Sequence, residues 1–330
     1  MPAYAPRVRR LLLLVLLLAG MTIPASCGND DTPPFAFPTV SSEQPGVDPV
    51  VVSSTAPPNR TMVKVLHEGS GRPLAPQDVL VANTKAQIWS SVGLALPAFV
   101  NTFSGGRLLF RALEQTVPGW RKTLPGVKVG SRVLLVTPPQ DGFGREGNPG
   151  VSVGKDDTVI WLIDVVDAVP IDAVASGRPA TTSTPGLPTV TAGRNPTVTV
   201  PPTAAPRRLI SRPLIVGQGR RITGGEVILA QYTGVIWRDG REFDTSWKPE
   251  RGPFHARIAP TDSRTGEPGV IPGWVEGLVG RRVGSRILLV VPPGLGYGSA
   301  GSPQVGITGT DTLVFVVDIL AGYGDPAATS

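Results

Sequence analysis

The side chains with chemical capacity gather between Gln231 and Phe315. Tyr232 stands beside Thr233-Gly234, and Asp244 directly follows Phe243. Trp274 follows Pro272-Gly273, Tyr297 lies between Gly296 and Gly298, and Phe315 ends the run Thr312-Leu313-Val314-Phe315. Aromatic residues at intervals, each near a turn former and with one acid directly after a phenylalanine, encode a small apolar pocket lined from several elements. Taken singly, each aromatic also fits ordinary core packing, and Asp244 also fits a turn-capping acid before Thr245-Ser246. Other chemistries lack their residues. His67 and His255 are the only histidines, lie far apart in sequence and have no metal-ligand spacing. Neither sits in the setting of a hydrolase triad. Cys27 is the only cysteine, so an internal disulfide and a cysteine metal cluster are both excluded. Gly217-Gln218-Gly219 reads as a turn before a strand and Asp156-Asp157 as a solvated turn.

The elements that must carry this pocket occur twice. Val129–Pro139 and Val283–Pro293 are near-copies, and Pro118-Gly119-Trp120 matches Pro272-Gly273-Trp274 at the same offset. Asp157-Thr158 through Asp164 matches Asp311-Thr312 through Asp318, again in step. Upstream, Ala82 and Ile88-Trp89 match Ala230 and Ile236-Trp237 at a smaller offset, so the second copy has the longer loop before its Pro-Gly-Trp. Each copy is long enough for its own core. Val227–Ala230, Arg286–Val291 and Leu313–Leu320 are β-branched or aliphatic runs bounded by Gly and Pro and predict strands. One short helix is expected after Pro272, with Trp274 and Leu278 on one face and Gly280 as its stop.

In order and wording, Gln231-Tyr232-Thr233-Gly234, Glu242-Phe243-Asp244, Val270-Ile271-Pro272-Gly273-Trp274, Gly296-Tyr297-Gly298 and Thr312–Phe315 resemble the FKBP-type peptidyl-prolyl isomerases, over Leu214 to Ala321. The resemblance implies an α+β fold: two FKBP-like domains, each a curled antiparallel sheet around a short helix. It implies a floor at Trp274 and walls from Tyr232, Phe243, Phe254, Val270, Ile271, Ile307 and Phe315. Tyr297 would hydrogen-bond a substrate carbonyl, Asp244 would face the twisting amide, and the Tyr232 hydroxyl would hold Asp244. Rotation about an X–Pro bond opposes roughly 18–20 kcal/mol of amide resonance. The twisted amide is less polar than the planar one, so a dry apolar pocket that binds it preferentially is itself the catalyst. No metal and no cofactor is required. The implied partners are Pro-containing polypeptides and macrolide ligands. In the first copy, Thr84 stands for Tyr232, Val100 for Asp244, Phe143 for Tyr297 and Trp161 for Phe315. That copy is expected to fold with little or no isomerase activity. Drift, or a binding surface for unfolded or envelope clients, would both explain it. A non-catalytic binding or holdase lipoprotein is the alternative reading for the whole chain.

The 330 residues have room for about two domains and extras. With 40 Gly, 36 Pro and 17% charged residues, the composition fits β-rich domains joined by extended segments. Arg7, Arg9 and Arg10 precede the apolar block Leu11–Ala19, and Ala25-Ser26 precede Cys27. This is the order of a secretory signal, too short for a comfortable membrane span. Cys27 sits where a bacterial lipoprotein signal would place the lipidated thiol. Two acyl chains anchor stably where one does not. The expectation is export, with a lipid anchor to the outer face of the cell membrane. Cleavage near Ala25 with a free thiol is the simpler alternative. The formal net charge is +6, of which the three leader arginines are half, and the remaining basic residues form no stripe suited to nucleic acid. The expected organisation is a signal at 1–26, a disordered stalk at 27–60 and a degenerate domain at 61–170. A disordered Pro/Thr-rich linker at 171–206, an isomerase domain at 207–322 and a tail at 323–330 follow.

Overall fold

A computed structural model of the chain describes residues 36–180, 184–248, 251–261 and 269–324. The expected signal segment, Cys27 and nearly all of the tail lie outside these residues.

A small ribbon, β1 (Thr39–Val40) with β2 (Val51–Val52), precedes the first domain. That domain contains β3 (Met62–His67), β4 (Asp78–Ile88), β5 (Val100–Asn101), α1 (Thr102–Gly105), β6 (Leu109–Ala112), α2 (Pro118–Thr123), β7 (Arg132–Thr137) and β8 (Val159–Pro170). Its antiparallel sheet has the order β3-β7-β8-β4-β5, with β6 also paired to β4. Next come β9 (Gly177–Pro179) and a second ribbon, β10 (Thr189–Val190) with β11 (Val198–Thr199). The second domain contains β12 (Ile210–Gly217), β13 (Val227–Ile236), β14 (Glu242–Thr245), β15 (Phe254–Arg257), α3 (Pro272–Leu278), β16 (Arg286–Val291) and β17 (Leu313–Tyr323). Its order is β14-β13-β17-β16-β12-β9, with β15 also on β13. The expected class, antiparallel sheets with a short helix after each Pro-Gly-Trp, is the one observed, and the first domain adds the one-turn α1.

Pro-Gly-Trp explains how each helix seats. Proline occupies the first turn, where its missing N–H costs nothing. Glycine lets the helix touch the sheet: a Cβ on Gly273 would lie 2.5 Å from Val291 Cγ1, and one on Gly119 2.3 Å from Thr137 Cγ2. Tryptophan then enters the core, with Trp274 and Trp120 both buried.

The strands are apolar on both faces. Ile287, Leu289 and Val291 face Trp274 and Leu278, whereas Leu288 and Val290 face the other way. Leu313, Phe315 and Val317 alternate with Val314 and Val316 in the same manner. A sheet with a solvated face would show polar residues at alternate positions. Here the outer face is covered instead by Leu187, Val190, Val198, Val200 and Ala205. On the first domain, Phe37, Val40 and Val51 cover Leu134, Val136, Ile160 and Leu162.

The disordered stalk and disordered linker are thus corrected. Their described residues are straps, pinned by polar groups as well as apolar packing. Arg132 forms a buried pair with Asp164 at 2.6 Å, and its remaining donors reach the carbonyls of Ser42 (2.8 Å) and Val47 (2.7 Å). Arg286 pairs with Asp318 at 2.6 Å and donates to the Gly193 carbonyl at 2.7 Å. The backbone N–H of Ala175 donates to Asp318 Oδ2 at 2.9 Å. A buried ion pair is stable only when its spare donors and lone pairs are satisfied, and the straps supply those partners. The indoles of Trp89 and Trp237 donate to the carbonyls of Thr55 and Thr203. The repeat therefore starts earlier than the domains do: Pro38-Thr39-Val40 and Pro188-Thr189-Val190 each open a strap ribbon.

Candidate active site

A hollow of about 520 Å³ opens between α3, β13, β14, β15 and the loop after β16. Tyr232, Phe243, Asp244, Phe254, Val270, Ile271, Trp274, Tyr297 and Phe315 line it, so nine of the ten expected pocket residues converge. Ile307 is the correction. It is buried in the main core cluster and does not line the hollow. Its backbone exchanges two hydrogen bonds with Ser302, which folds the loop so that Ile307 lies inward. Pro260, Thr261, Gly269 and Pro272 complete the lining.

The rings are set edge to face. Trp274 meets Tyr232 at 5.4 Å and 85°, Phe315 at 5.5 Å and 88°, and Phe254 at 6.2 Å and 90° between ring centroids and planes. Phe243 meets Phe315 at 5.6 Å and 87°. Such geometry matches ring edges to ring faces and leaves an apolar wall on the open side. Gly234 makes room for it, because a Cβ there would lie 2.7 Å from Phe243 Cζ and 3.1 Å from Phe315 Cε1.

Asp244 is the only carboxylate among the described lining residues, and it is held from three sides. The Tyr232 hydroxyl donates to Oδ2, and the Arg251 guanidinium and the Thr245 N–H donate to Oδ1, the last at 3.0 Å. Arg251 was not legible in the sequence, since it lies in the loop that sets the two copies apart. Burial, then the Asp244 carboxylate, pushes the Tyr232 phenol far above its ordinary value. The same two causes raise Tyr297. Both stay protonated donors at neutral pH. The Tyr297 side chain is 41% exposed at the mouth, and its hydroxyl bonds to none of the described residues. Among the described residues the arrangement offers a greasy socket, a fixed carboxylate and a phenolic donor open to a ligand.

Register fixes the equivalent positions in the first domain. Gly234 pairs with Asp244 and Phe315, as Ala86 pairs with Val100 and Trp161. Tyr232 pairs with Val317 as Thr84 pairs with Ile163. Phenol and carboxylate are therefore both replaced, as the substitutions in the sequence imply. Trp161 lies 5.3 Å from Trp120, 5.8 Å from Phe143 and 6.1 Å from Phe99, so aromatic rings pack into the corresponding space.

The family model described as FKBP-type peptidyl-prolyl cis-trans isomerase matches residues 98–166 and 218–320, together more than half of the chain. The chain belongs to this family. A probable FK506-binding protein of Corynebacterium glutamicum is 36% identical over 126 residues, 38% of this chain and 97% of that protein. An FK506-binding protein of Streptomyces anulatus is 33% identical over 126 residues, 38% of this chain and 95% of that protein. The FKBP-type peptidyl-prolyl cis-trans isomerase FkpA of Escherichia coli is 39% identical over 113 residues, 34% of this chain and 37% of that protein. The chain is thus a peptidyl-prolyl cis-trans isomerase with repeated FKBP domains.

Proposed function

We propose that the isomerase site is the hollow of the second FKBP domain, with Asp244 and Tyr297 as its catalytic groups. The observation that carries this reading is the three-point fixation of Asp244 inside an aromatic socket, together with the loss of both groups from the first domain. A proline ring would enter over Trp274, between Phe315, Phe243 and Tyr232. The dry walls favour the less polar twisted amide, and each factor of ten in rate needs about 1.4 kcal/mol of such preference. Tyr297 would donate to a substrate carbonyl and so hold the chain while the amide turns. The fixed Asp244 would face the amide as it twists. The first domain has neither group and is read as catalytically silent.

Substrates would be extended Pro-containing segments of exported or envelope proteins, and FK506-like macrolides would compete for the same socket. Titration with FK506, read by tryptophan fluorescence, tests the location. The response should persist in Trp120→Phe and vanish in Trp274→Phe; the reverse pattern would refute the assignment. For localisation, the leader and Cys27 support export and a lipid anchor on the outer face of the membrane. Cys27→Ser should then release the protein from the membrane fraction. Unchanged membrane retention of that variant would contradict the anchor.

A further inference from the structure

Both FKBP domains belong to one compact unit, and the joint between them reaches the hollow from behind. Strand β15 turns Phe254 into the hollow and, by the alternation of a strand, His255 the opposite way. The His255 ring stacks on Phe110 of β6, with centroids 4.7 Å apart and planes 12° apart, while its outer edge stays in solvent. Phe110 also meets Tyr323 edge-on at 5.5 Å, and the Tyr323 hydroxyl donates to Asp167 of β8 at 2.8 Å. Beside this stack Val79 and Val169 of the first domain bury Leu229 and Ala321 of the second. Leu229 is the register partner of His255, and it is wholly buried.

A second contact reaches the other flank. The Ile171 side chain packs on Gly252 so closely that a Cβ there would lie 3.1 Å from Ile171 Cγ1. Gly252 adjoins Arg251, which holds Asp244. The Ile171 carbonyl accepts from the Gln231 amide at 3.0 Å. The same Gln231 accepts from the Ser246 hydroxyl at 2.5 Å, and that hydroxyl accepts from the Tyr232 N–H at 2.8 Å. Strand β15 has four residues and, among the described strands, pairs with β13 alone. So short an edge strand is weakly held by its own ladder, and what packs on its outer face sets its position.

We propose that the first domain, without site chemistry of its own, and the start of the strap that leaves it buttress the isomerase hollow in cis, with Phe110 and Ile171 as positioning residues. Phe110 fixes Phe254 through His255 and β15; Ile171 fixes Asp244 through Gly252 and Arg251. This rests on the second domain's hollow being the site. The loss of the first domain's own pocket is then no obstacle to its having a role, because the joint lies on a different face from the filled socket.

The test uses the full chain and a Pro-peptide assay that separates kcat from KM. In Phe110→Ala/Ile171→Ala, KM should rise about five- to tenfold as Phe254 shifts, the scale of coupling between contacting residues, with a fall in kcat beside it as Asp244 shifts. Phe110→Tyr/Ile171→Val should restore the parent KM. A merely structural defect would lower the active fraction, and with it apparent kcat, and leave KM in place. Should the alanine pair not fold, Tyr323→Phe, which removes only the bond to Asp167, should still raise KM in the same direction. Parent KM in a folded Phe110→Ala/Ile171→Ala, or in Tyr323→Phe where the alanine pair does not fold, would overturn the proposal. The two readings fail separately. Full activity in Asp244→Val/Tyr297→Phe would remove the site; a dead double variant beside an unchanged Phe110→Ala/Ile171→Ala would remove only the buttress.

Discussion

Tyr232→Phe isolates what the fixed carboxylate contributes. The substitution removes one hydroxyl and keeps the ring, so the edge-on contacts with Trp274 and Phe254 persist and the hollow keeps its shape. What disappears is the donor on Asp244 Oδ2. Thr245 and Arg251 both act on Oδ1, so the other oxygen loses its protein partner. A hydrogen bond to an ionised group contributes about 1.5–3 kcal/mol. The Asp244 side chain is 32% exposed, and water takes back part of that. About 1–2 kcal/mol remains. At about 1.4 kcal/mol per factor of ten, this is a roughly 5- to 30-fold fall in kcat/KM if the carboxylate acts on the turning amide. A fluorescence assay on a Pro-peptide with the full chain reads it, with denaturant unfolding as a check on folding. A kcat/KM within twofold of the parent, in a variant that still folds, would refute the reasoning.

The strap and the buried phenols give two further expectations. Arg286→Ala leaves Asp318 buried without its cation and removes the Gly193 pin, so stability should fall by about 3–5 kcal/mol in denaturant titration; a loss under about 1 kcal/mol would mean the strap is not held through this pair. Burial and nearby carboxylates raise Tyr232, Tyr297 and Tyr323 above the ordinary phenol value of 10.0. The folded state thus favours the neutral phenols, and that stability is complete below about pH 10 and declines as pH rises beyond it. An unfolding midpoint that is flat from about pH 8 to 10 and then falls is expected; a steep loss already between about pH 8 and 9 would contradict it.

The site was legible because each pocket residue sits on a short block whose turn formers and order identify its place. Tyr232, Asp244, Trp274 and Tyr297 each carry such a local mark. Arg251, Pro260 and Thr261 carry none, as they lie in the loop by which the second copy differs, and only the folded path brings them to the hollow. Ile307 departs from the expected wall because the Ser302–Ile307 bridge, a local closure, folds its loop and the side chain joins the core. The straps were misread from composition. Pro, Thr and Val without a period look like a linker, yet an extended chain needs no internal period to lie across a sheet. The missed signal was in the strands: Arg286–Val291 and Leu313–Val317 have apolar residues on both faces, and such an outer face demands a cover. The joint at Phe110 and Ile171 had no sequence signal, because it depends on how two separate sheets meet.

The most direct test of the account replaces Asp244 and Tyr297, the proposed catalytic groups, with the residues the first domain carries at those places. Full-length Asp244→Val/Tyr297→Phe, assayed for cis/trans isomerisation of a Pro-peptide, should lose most of its rate acceleration while it still folds, with a lower unfolding midpoint because the partners of Asp244 are lost. Isomerase activity equal to that of the parent chain in this variant would contradict the central claim.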